Sequence, residues 1–427
     1  MRNKILGTLA IVIVGMLLML GCAPTVAPEE SGGPLIIGYI GNMAWPVAAD
    51  AFYAVQLAAD EINQSGGIMG RPVEVVQKDS RGEAPLAVAA YKELVMTNGA
   101  EAVILAEGAE LNFACQGTGA ELFPEYPHLC FNPTTSHEGL GLNVLNEYDK
   151  YKFYFRTWID TDQYRASIFD AARNLKRLAG AKTVALVTED AQWTEYFRHG
   201  KPGEYAPVED DMKKETGVDV VYTAEIALGE KMFLPLFQVI AAKSPDWIMY
   251  VSAYSDVTTF TKQWSESAAK NIDLWDGGGA SSMAGFWGMT GGAALGLLTP
   301  TYSRAALSEK TIPFIEALKE RYGKDTSWIS FDSYDSVYLI KAAAEKAKTT
   351  EVEALIKALE SIEMTGVCGK LVYGDTHTCK YGWPYLDFPY GQFQKDGELV
   401  ILYPEEVAKA TNPGQTFIPV RELRKGS

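Results

Sequence analysis

Residues 35–76, LIIGYIGNMAWPVAADAFYAVQLAADEINQSGGIMGRPVEVV, carry the pattern that decides the fold. The apolar run at 35–40 is typical of a buried strand in a parallel sheet. Pro46 is suited to the first turn of a helix, and apolar residues then recur at helical spacing as far as Ile62. A polar and glycine-rich stretch at 63–67 ends that helix, and 73–76 form the next strand. A strand, a helix and a second strand in this order form the repeating unit of a parallel α/β sheet.

The same alternation of strands and helices continues along most of the chain. In the first half it predicts helices at 84–96 and 111–122 and strands at 102–105, 128–131 and 153–156. In the second half it predicts helices at 161–178, 232–242 and 257–269 and strands at 183–187, 219–223 and 247–251. We therefore expect an α/β protein with two doubly wound lobes, each with its own sheet, followed by a β-rich segment from Gly366.

The N-terminus has the pattern of a secretory signal. Arg2 and Lys4 precede an apolar run at 5–20, and Gly21 and Cys22 end it. A cysteine at this junction resembles a lipobox, so we expect residues 1–21 to be removed and Cys22 to carry a lipid. An ordinary signal peptide and an uncleaved anchor are the alternatives. Residues 22–34 then form the lipidated cysteine and a flexible, proline-rich tether.

Composition and motifs exclude several function classes. The net charge is −16 and no basic cluster is present, which argues against nucleic acid and against contact with a membrane beyond the anchor. The sequence contains no nucleophile elbow, phosphate-binding loop or zinc-ligand spacing, and its four histidines are scattered. We expect no enzyme activity, no metal and no cofactor.

Four further cysteines lie in a chain that is expected to be exported. Cys368 and Cys379 flank a stretch that reads as strand, Gly-Asp turn and strand, which predicts a disulfide between them. The pairing of Cys115 and Cys130 stays open, with buried free thiols as the alternative.

Several stretches together resemble a known family. Residues 37–41 (IGYIG), 58–63 (AADEIN), 66–72 (GGIMGRP), 131–136 (FNPTTS) and 244–250 (SPDWIMY) occur in a specific order and spacing. In this respect residues 35–403 resemble the extracytoplasmic solute-binding proteins of branched-chain amino acid ABC importers, the leucine/isoleucine/valine-binding family.

The resemblance implies a type I periplasmic-binding fold, in which a three-stranded hinge joins two lobes and the ligand lies between them. Lobe 1 would comprise 35–157 and 299–369, and lobe 2 would comprise 158–298 and 370–420. It also implies a monomeric, membrane-anchored protein outside the cytoplasm, which captures a small solute and delivers it to an ABC permease.

In parallel α/β sheets, ligands bind beyond the carboxyl ends of the strands, and this rule selects four loops. Trp45 follows the first strand and is a large apolar platform. Glu107 and Ala109 follow the third strand, where relatives place a hydroxyl residue for the ligand carboxylate. Thr135 and Ser136 follow the fourth strand, and the resemblance implies that this loop holds the head group.

The second lobe contributes the fourth set of residues. Tyr254 matches an aromatic residue that covers the ligand in relatives. Gly278 aligns with an acid that binds the ligand ammonium in relatives, and Asp276 lies two residues earlier. Aromatic residues including Trp193 and Trp287 would suit an aromatic or apolar solute.

Ala109 and Gly278 differ from the hydroxyl residue and the acid that relatives have at these positions, so the sequence does not identify the solute. The main expectation is a branched-chain amino acid or a related solute. The alternatives are a short amide, urea or an aromatic acid, or a ligand-sensing role with a signalling partner.

The predicted anchor has a direct test. We expect the variant Cys22→Ala to lose metabolic lipid labelling, and either to leave the membrane fraction or to remain unprocessed. Fractionation and labelling of the wild type and the variant side by side would show this. Equal lipid labelling of both proteins would contradict the assignment of Cys22.

Overall fold

The computed structural model describes residues 32–283, 285–301 and 304–426. The predicted signal peptide, Cys22 and most of the tether lie outside the described residues. Within them, the predicted alternation of strands and helices is confirmed, and the chain forms two large sheets.

The first sheet has five parallel strands in the order β2-β1-β3-β4-β5. These are β1 (Leu35–Gly41), β2 (Val73–Asp79), β3 (Ala102–Ala106), β4 (Leu129–Asn132) and β5 (Tyr154–Arg156). The helices that accompany them are α1 (Pro46–Gln64), α2 (Ala84–Lys92), α3 (Ala109–Leu122), α4 (Gly139–Asn146) and α5 (Tyr148–Tyr151).

The second sheet has seven strands in the order β14-β13-β10-β9-β8-β6-β7. Its parallel strands are β6 (Thr183–Glu189), β7 (Asp219–Ile226), β8 (Trp247–Val251), β9 (Asp273–Asp276) and β10 (Leu298–Pro300). The helices of this region are α6 (Thr161–Ala179), α7 (Glu195–His199), α8 (Val208–Thr216), α9 (Leu234–Lys243), α10 (Val257–Glu266) and α11 (Phe286–Met289).

The C-terminal third of the chain packs a helix on the first sheet and adds two strands to the second. Its helices are α12 (Thr311–Tyr322), α13 (Trp328–Ala347), α14 (Val352–Leu359), α15 (Glu405–Thr411) and α16 (Val420–Leu423). Its strands are the hairpin β11 (Met364–Gly366) and β12 (Gly369–Leu371), and then β13 (Tyr390–Phe393) and β14 (Leu399–Tyr403), which extend the second sheet in antiparallel fashion.

Helix α13 ties this last third to the first sheet. It packs along α1 and against α14 and β3. Most of its residues are buried, including Phe331, Leu339 and Ile340. Each such side chain contributes about 1.5–3 kcal/mol when it is removed from water. The helix therefore fixes a segment far along the chain onto the first sheet.

Helix α6 begins where the chain leaves the first sheet. Asp160 caps it, because its carboxylate accepts the Gln163 backbone N–H at 2.8 Å. In turn, the Gln163 side-chain oxygen accepts the Asp160 backbone N–H at 3.1 Å. Gly180 ends the helix with a φ of 67°, a left-handed conformation that glycine adopts without strain. The bounds of this helix differ by one residue at its C-terminus from those that the sequence predicts.

The structure does not show the predicted disulfide between Cys368 and Cys379: both thiols are free, and the strands pair in a register that differs from the predicted one. Gly366 pairs with Gly369, so Cys368 lies in the turn of the β11–β12 hairpin. Cys379 pairs instead with Tyr373. The Cys368 thiol donates to Asp335 Oδ2 at 2.9 Å. Cys115 and Cys130 are also free, and all four thiols are buried.

This arrangement predicts the reactivity of the thiols. We expect a maleimide to label none of the four in the native protein, because each is buried and burial raises its pKa. After unfolding without reductant, we expect all four to react, as peptide mass spectrometry would show. A sample reduced before labelling is the control. A linked peptide that contains Cys368 and Cys379 would contradict the structure.

Candidate functional site

The carboxyl ends of strands from both sheets meet at one narrow pocket, which has a cavity volume of about 30 Å³ and is partly open to solvent. Loops after β1 and β4 contribute from the first sheet, and loops after β6, β8 and β9 contribute from the second. The segment between β5 and α6 and the start of α13 complete the wall. The lining residues are Trp45, Thr134, Thr135, Ser136, Trp158, Tyr164, Trp193, Ala253, Tyr254, Gly278 and Trp328.

Aromatic rings form most of the wall, and we call them together the aromatic cage: Trp45, Trp158, Tyr164, Trp193, Tyr254 and Trp328. The rings contact one another. The Trp45 centroid lies 5.8 Å from that of Tyr254 and 6.2 Å from that of Trp328. Because Trp45 follows β1 and Tyr254 follows β8, the first of these contacts crosses the cleft between the two sheets. The pocket wall therefore includes a ring contact between the two sheets.

The loop after β4, residues 134–136, supplies the hydroxyl groups of the pocket, and we call it the hydroxyl loop. Asn132 Oδ1 accepts the backbone N–H groups of Thr134 and Thr135 at 2.9 and 3.0 Å, which fixes the loop. Thr135 Oγ1 is buried and finds no hydrogen-bond partner within the described part of the chain. Ser136 Oγ accepts the indole N–H of Trp158 at 3.0 Å, so its own proton remains available to a ligand.

Glu189, the last residue of β6, holds the second side of the pocket in place. Its Oε1 accepts the indole N–H of Trp193 at 2.7 Å. Its Oε2 accepts the backbone N–H groups of Tyr254 and Ser255 at 2.9 and 3.0 Å. The carboxylate is fully buried, and these bonds position two members of the aromatic cage at once. Sequence reasoning missed this residue, although an acid at the end of a buried strand is itself an unusual signal.

Asp276 is placed behind the pocket wall. It is fully buried and accepts the Gly278 N–H at 3.0 Å, the Ser281 N–H at 3.2 Å and the Ser281 hydroxyl. Burial raises its pKa to about 6, against the effect of these hydrogen bonds. The carboxylate thus stabilises its own loop, and it does not line the pocket.

Gly278 does line the pocket, but no side chain fits at this position. A Cβ atom added there would lie 1.3 Å from the carbonyl oxygen of Ser252. The loop after β9 packs directly on the end of β8, and only glycine permits this approach. The acid that the resemblance leads one to expect here is therefore excluded by backbone contact.

Glu107 and Ala109 line an adjoining groove that shares Trp45 and Tyr254 with the pocket. Glu107 is buried, and burial raises its pKa to about 7, although the Ser80 hydroxyl donates to it and opposes the shift. The predicted residue Trp287 lies elsewhere, because it is partly buried and packs against Phe393 at the side of the second sheet's core.

The structure thus brings together five of the predicted site residues: Trp45, Thr135, Ser136, Tyr254 and Gly278. It adds residues that the sequence analysis did not select, namely Trp158, Tyr164 and Trp328. No charged side chain belongs to the pocket lining among the described residues. Within the same residues, no cluster of acids, histidines and cysteines could hold a metal ion, and no helix is long and apolar enough to cross a membrane.

The family described as periplasmic binding protein matches residues 35–381, and the chain belongs to it. The Leu/Ile/Val-binding protein BraC3 of Rhizobium johnstonii is 26% identical over 353 residues, which cover 80% of this chain and 88% of the relative. The family comprises extracytoplasmic solute-binding proteins of ABC transporters. The resemblance that the sequence motifs indicate is confirmed.

Two solved structures show the same fold. A branched-chain amino acid transporter substrate-binding protein from Streptococcus pneumoniae, in complex with isoleucine, matches with a TM-score of 0.68 and 19% identity over 86% of this chain and 97% of its own. A solute-binding protein of an ABC transporter from R. palustris, in complex with benzoate, matches with a TM-score of 0.64 and 18% identity over 87% and 96%. The predicted type I periplasmic-binding fold is confirmed.

The unpartnered hydroxyl of Thr135 leads to a prediction about binding. We expect Thr135→Val to leave the free energy of unfolding unchanged or slightly higher, because the lost hydroxyl has no partner among the described residues. We expect the same variant to weaken solute binding by about 1–3 kcal/mol, because a polar ligand group loses its partner. Calorimetric titration and denaturant unfolding would measure both quantities.

Thr261→Val is the matched control for this experiment. Thr261 Oγ1 is also buried and without a partner, but it lies in α10 and not on the pocket wall. We expect this variant to have a similar effect on stability and none on binding. Equal solute affinity of Thr135→Val and the wild type would remove Thr135 from the site.

Proposed function

We propose that this protein is the solute-binding component of an ABC importer, which captures a small solute in the pocket and delivers it to a membrane permease. The observation that carries the proposal is a buried, unpartnered hydroxyl, Thr135 Oγ1, on the wall of an aromatic pocket between two sheets. A polar group left without a partner in a buried pocket is costly, and a solute would satisfy it. Membership of the periplasmic binding protein family supports the same reading.

The proposed mechanism is hinge closure on the solute. Lobe 1 (35–157 and 299–369) provides Trp45 and the hydroxyl loop, and lobe 2 (158–298 and 370–420) provides Trp193 and Tyr254. A solute that contacts both lobes favours the closed state by its difference in affinity for the two states. The contact between Trp45 and Tyr254 would then be the closing contact, and the permease would recognise the closed form.

The proposed location is outside the cytoplasm. Cys22 would carry the lipid, the tether would connect the membrane to the folded part, and the protein would be a monomer. A sensor that presents the solute to a signalling partner is the second role compatible with the same pocket. Uptake of a solute that binds this protein, measured in cells with and without the protein, separates the two roles, because loss of a sensor would leave uptake unchanged.

The names of relatives offer two classes of solute, amino acids such as leucine, isoleucine and valine, and aromatic acids such as benzoate. A short amide or urea is the further alternative. The lack of a carboxylate on the pocket wall weakens the case for a plain α-amino acid, because a primary ammonium group is usually met by an acid.

Intrinsic fluorescence offers a test of the pocket. Four of the nine tryptophans lie on its wall, so we expect solute binding to shift the emission of the wild type. We expect Trp45→Phe to reduce the shift and Trp287→Phe to leave it intact, since Trp287 packs at the side of the second sheet's core. Calorimetric binding without any change in emission would place the solute elsewhere and contradict the proposed site.

A further inference from the structure

The aromatic cage has a composition that selects among solutes. Besides its six rings, the pocket wall contains hydroxyl residues, an alanine and a glycine. None of these described lining residues is charged. We propose that the solute of this pocket carries a methylated quaternary ammonium head, which the rings of the aromatic cage surround. This inference rests on the proposed function and names the chemical class of its solute.

The first reason is the lack of acceptors for a primary ammonium group, which brings three N–H donors that need partners when buried. The nearby carboxylates already accept from protein donors. Asp276 accepts from Gly278 and Ser281, and Glu189 accepts from Trp193, Tyr254 and Ser255. A quaternary ammonium has no N–H groups, so it leaves no donor unpaired in such a pocket.

The second reason is the sign of the surrounding charge. Glu189 and Asp276 are buried behind the wall, and Glu107 lines the adjoining groove. Among the residues that the structure describes, no lysine, arginine or histidine lines the pocket. Arg156 is buried beside the hydroxyl loop and donates to the His137 carbonyl at 2.7 Å, but it does not line the pocket. The Glu189 carboxylate therefore favours a cation over an anion, while the raised pKa of Glu107, about 7, and that of Asp276, about 6, reduce the negative charge that these two groups add near neutral pH.

The third reason is the chemistry of the rings themselves. Aromatic faces attract a cation through their negative quadrupole, and tryptophan does so most strongly. Trp45, Trp158, Trp193 and Trp328 supply four indoles to one pocket. The indole N–H of Trp193 donates to the Glu189 carboxylate, which increases the electron density of that ring. A methylated ammonium also buries its methyl groups against these apolar surfaces.

The hydroxyl loop would bind the other end of the solute. Thr135 Oγ1 has no partner, and the proton of Ser136 Oγ is not used by Trp158. Together they can donate to and accept from a hydroxyl or carboxyl group. The solute that fits is therefore a small molecule with a methylated ammonium at one end and a polar oxygen at the other.

The test compares two probes of the same shape that differ in charge. Choline carries the cation. Its neutral isostere, in which carbon replaces nitrogen, is 3,3-dimethyl-1-butanol, called dimethylbutanol below. Calorimetric titration of the full-length protein should give choline an affinity at least about tenfold higher than that of dimethylbutanol, an effect of about 1.4 kcal/mol. Equal affinity for the two probes would overturn the proposal, because the rings would then act only as an apolar surface.

Variants of the cage locate the effect. We expect Trp45→Leu to weaken choline binding by about tenfold and to change dimethylbutanol binding by less than about twofold, because leucine keeps apolar contact but has no ring. The matched control Trp287→Leu removes a tryptophan outside the pocket and should change neither affinity. Loss of both probes in equal measure at Trp45→Leu would count against a cation-selective cage.

Leucine and benzoate complete the set of probes and separate this proposal from the one on which it rests. If either of them binds with a fluorescence shift and choline does not, the quaternary ammonium assignment fails while the solute-binding function stands. If none of the probes binds, the ammonium assignment is also overturned, and a broader solute screen then tests the general function. Preferred binding of choline to the wild type supports the proposal even if a variant does not fold.

Discussion

A parallel strand must leave its sheet through a loop at its carboxyl end, and in this protein two such edges face one another. Strands β1 and β4 end on one side of the pocket, and β6, β8 and β9 end on the other. The peptide groups and side chains beyond these ends cannot join the ladders of the sheets, so they are available to a ligand. The position of the pocket follows from this constraint, and the composition of the loops decides what the pocket binds.

Buried polar groups keep these loops in fixed positions. Asn132 holds the hydroxyl loop, Glu189 holds Trp193 and Tyr254, and Asp276 holds the loop that contains Gly278. Each of these residues ends a strand, and each is fully buried and hydrogen-bonded to backbone N–H groups or side-chain donors. A buried polar group with all its bonds made rigidifies its surroundings, whereas a missing bond is costly. The shape of the pocket thus depends on residues that lie behind its wall.

A buried carboxyl group also fixes the β11–β12 hairpin. Asp335 of α13 accepts the Val367 N–H at 2.9 Å and the Cys368 thiol, which joins the β11–β12 hairpin to the helix. Burial raises the pKa of Asp335 to about 6. Since the folded-state pKa lies above the value of an exposed aspartate, ionisation of this group weakens the fold as the pH rises toward that value. The carboxyl group of Asp335 thus fixes the turn that contains Cys368.

The fold is shared with relatives whose names refer to different solutes, and this separates scaffold from specificity. Proteins described with isoleucine and with benzoate have the same architecture at identities of 19% and 18%. In this chain the cleft presents an uncharged aromatic wall and a free threonine hydroxyl. The ligand has to be inferred from these groups and not from the fold.

By itself, the sequence determined the alternation of strands and helices, the type of sheet and the loops in which Trp45, Thr135, Ser136, Tyr254 and Gly278 lie. These features follow from local periodicity and from the rule for strand ends, both of which short segments express. Only the tertiary structure decided that Asp276 faces its own loop, that Cys368 lies in a turn, and that Glu189 and Trp328 complete the site. Those outcomes depend on strand register and on contacts between residues far apart in the chain, which local patterns do not encode.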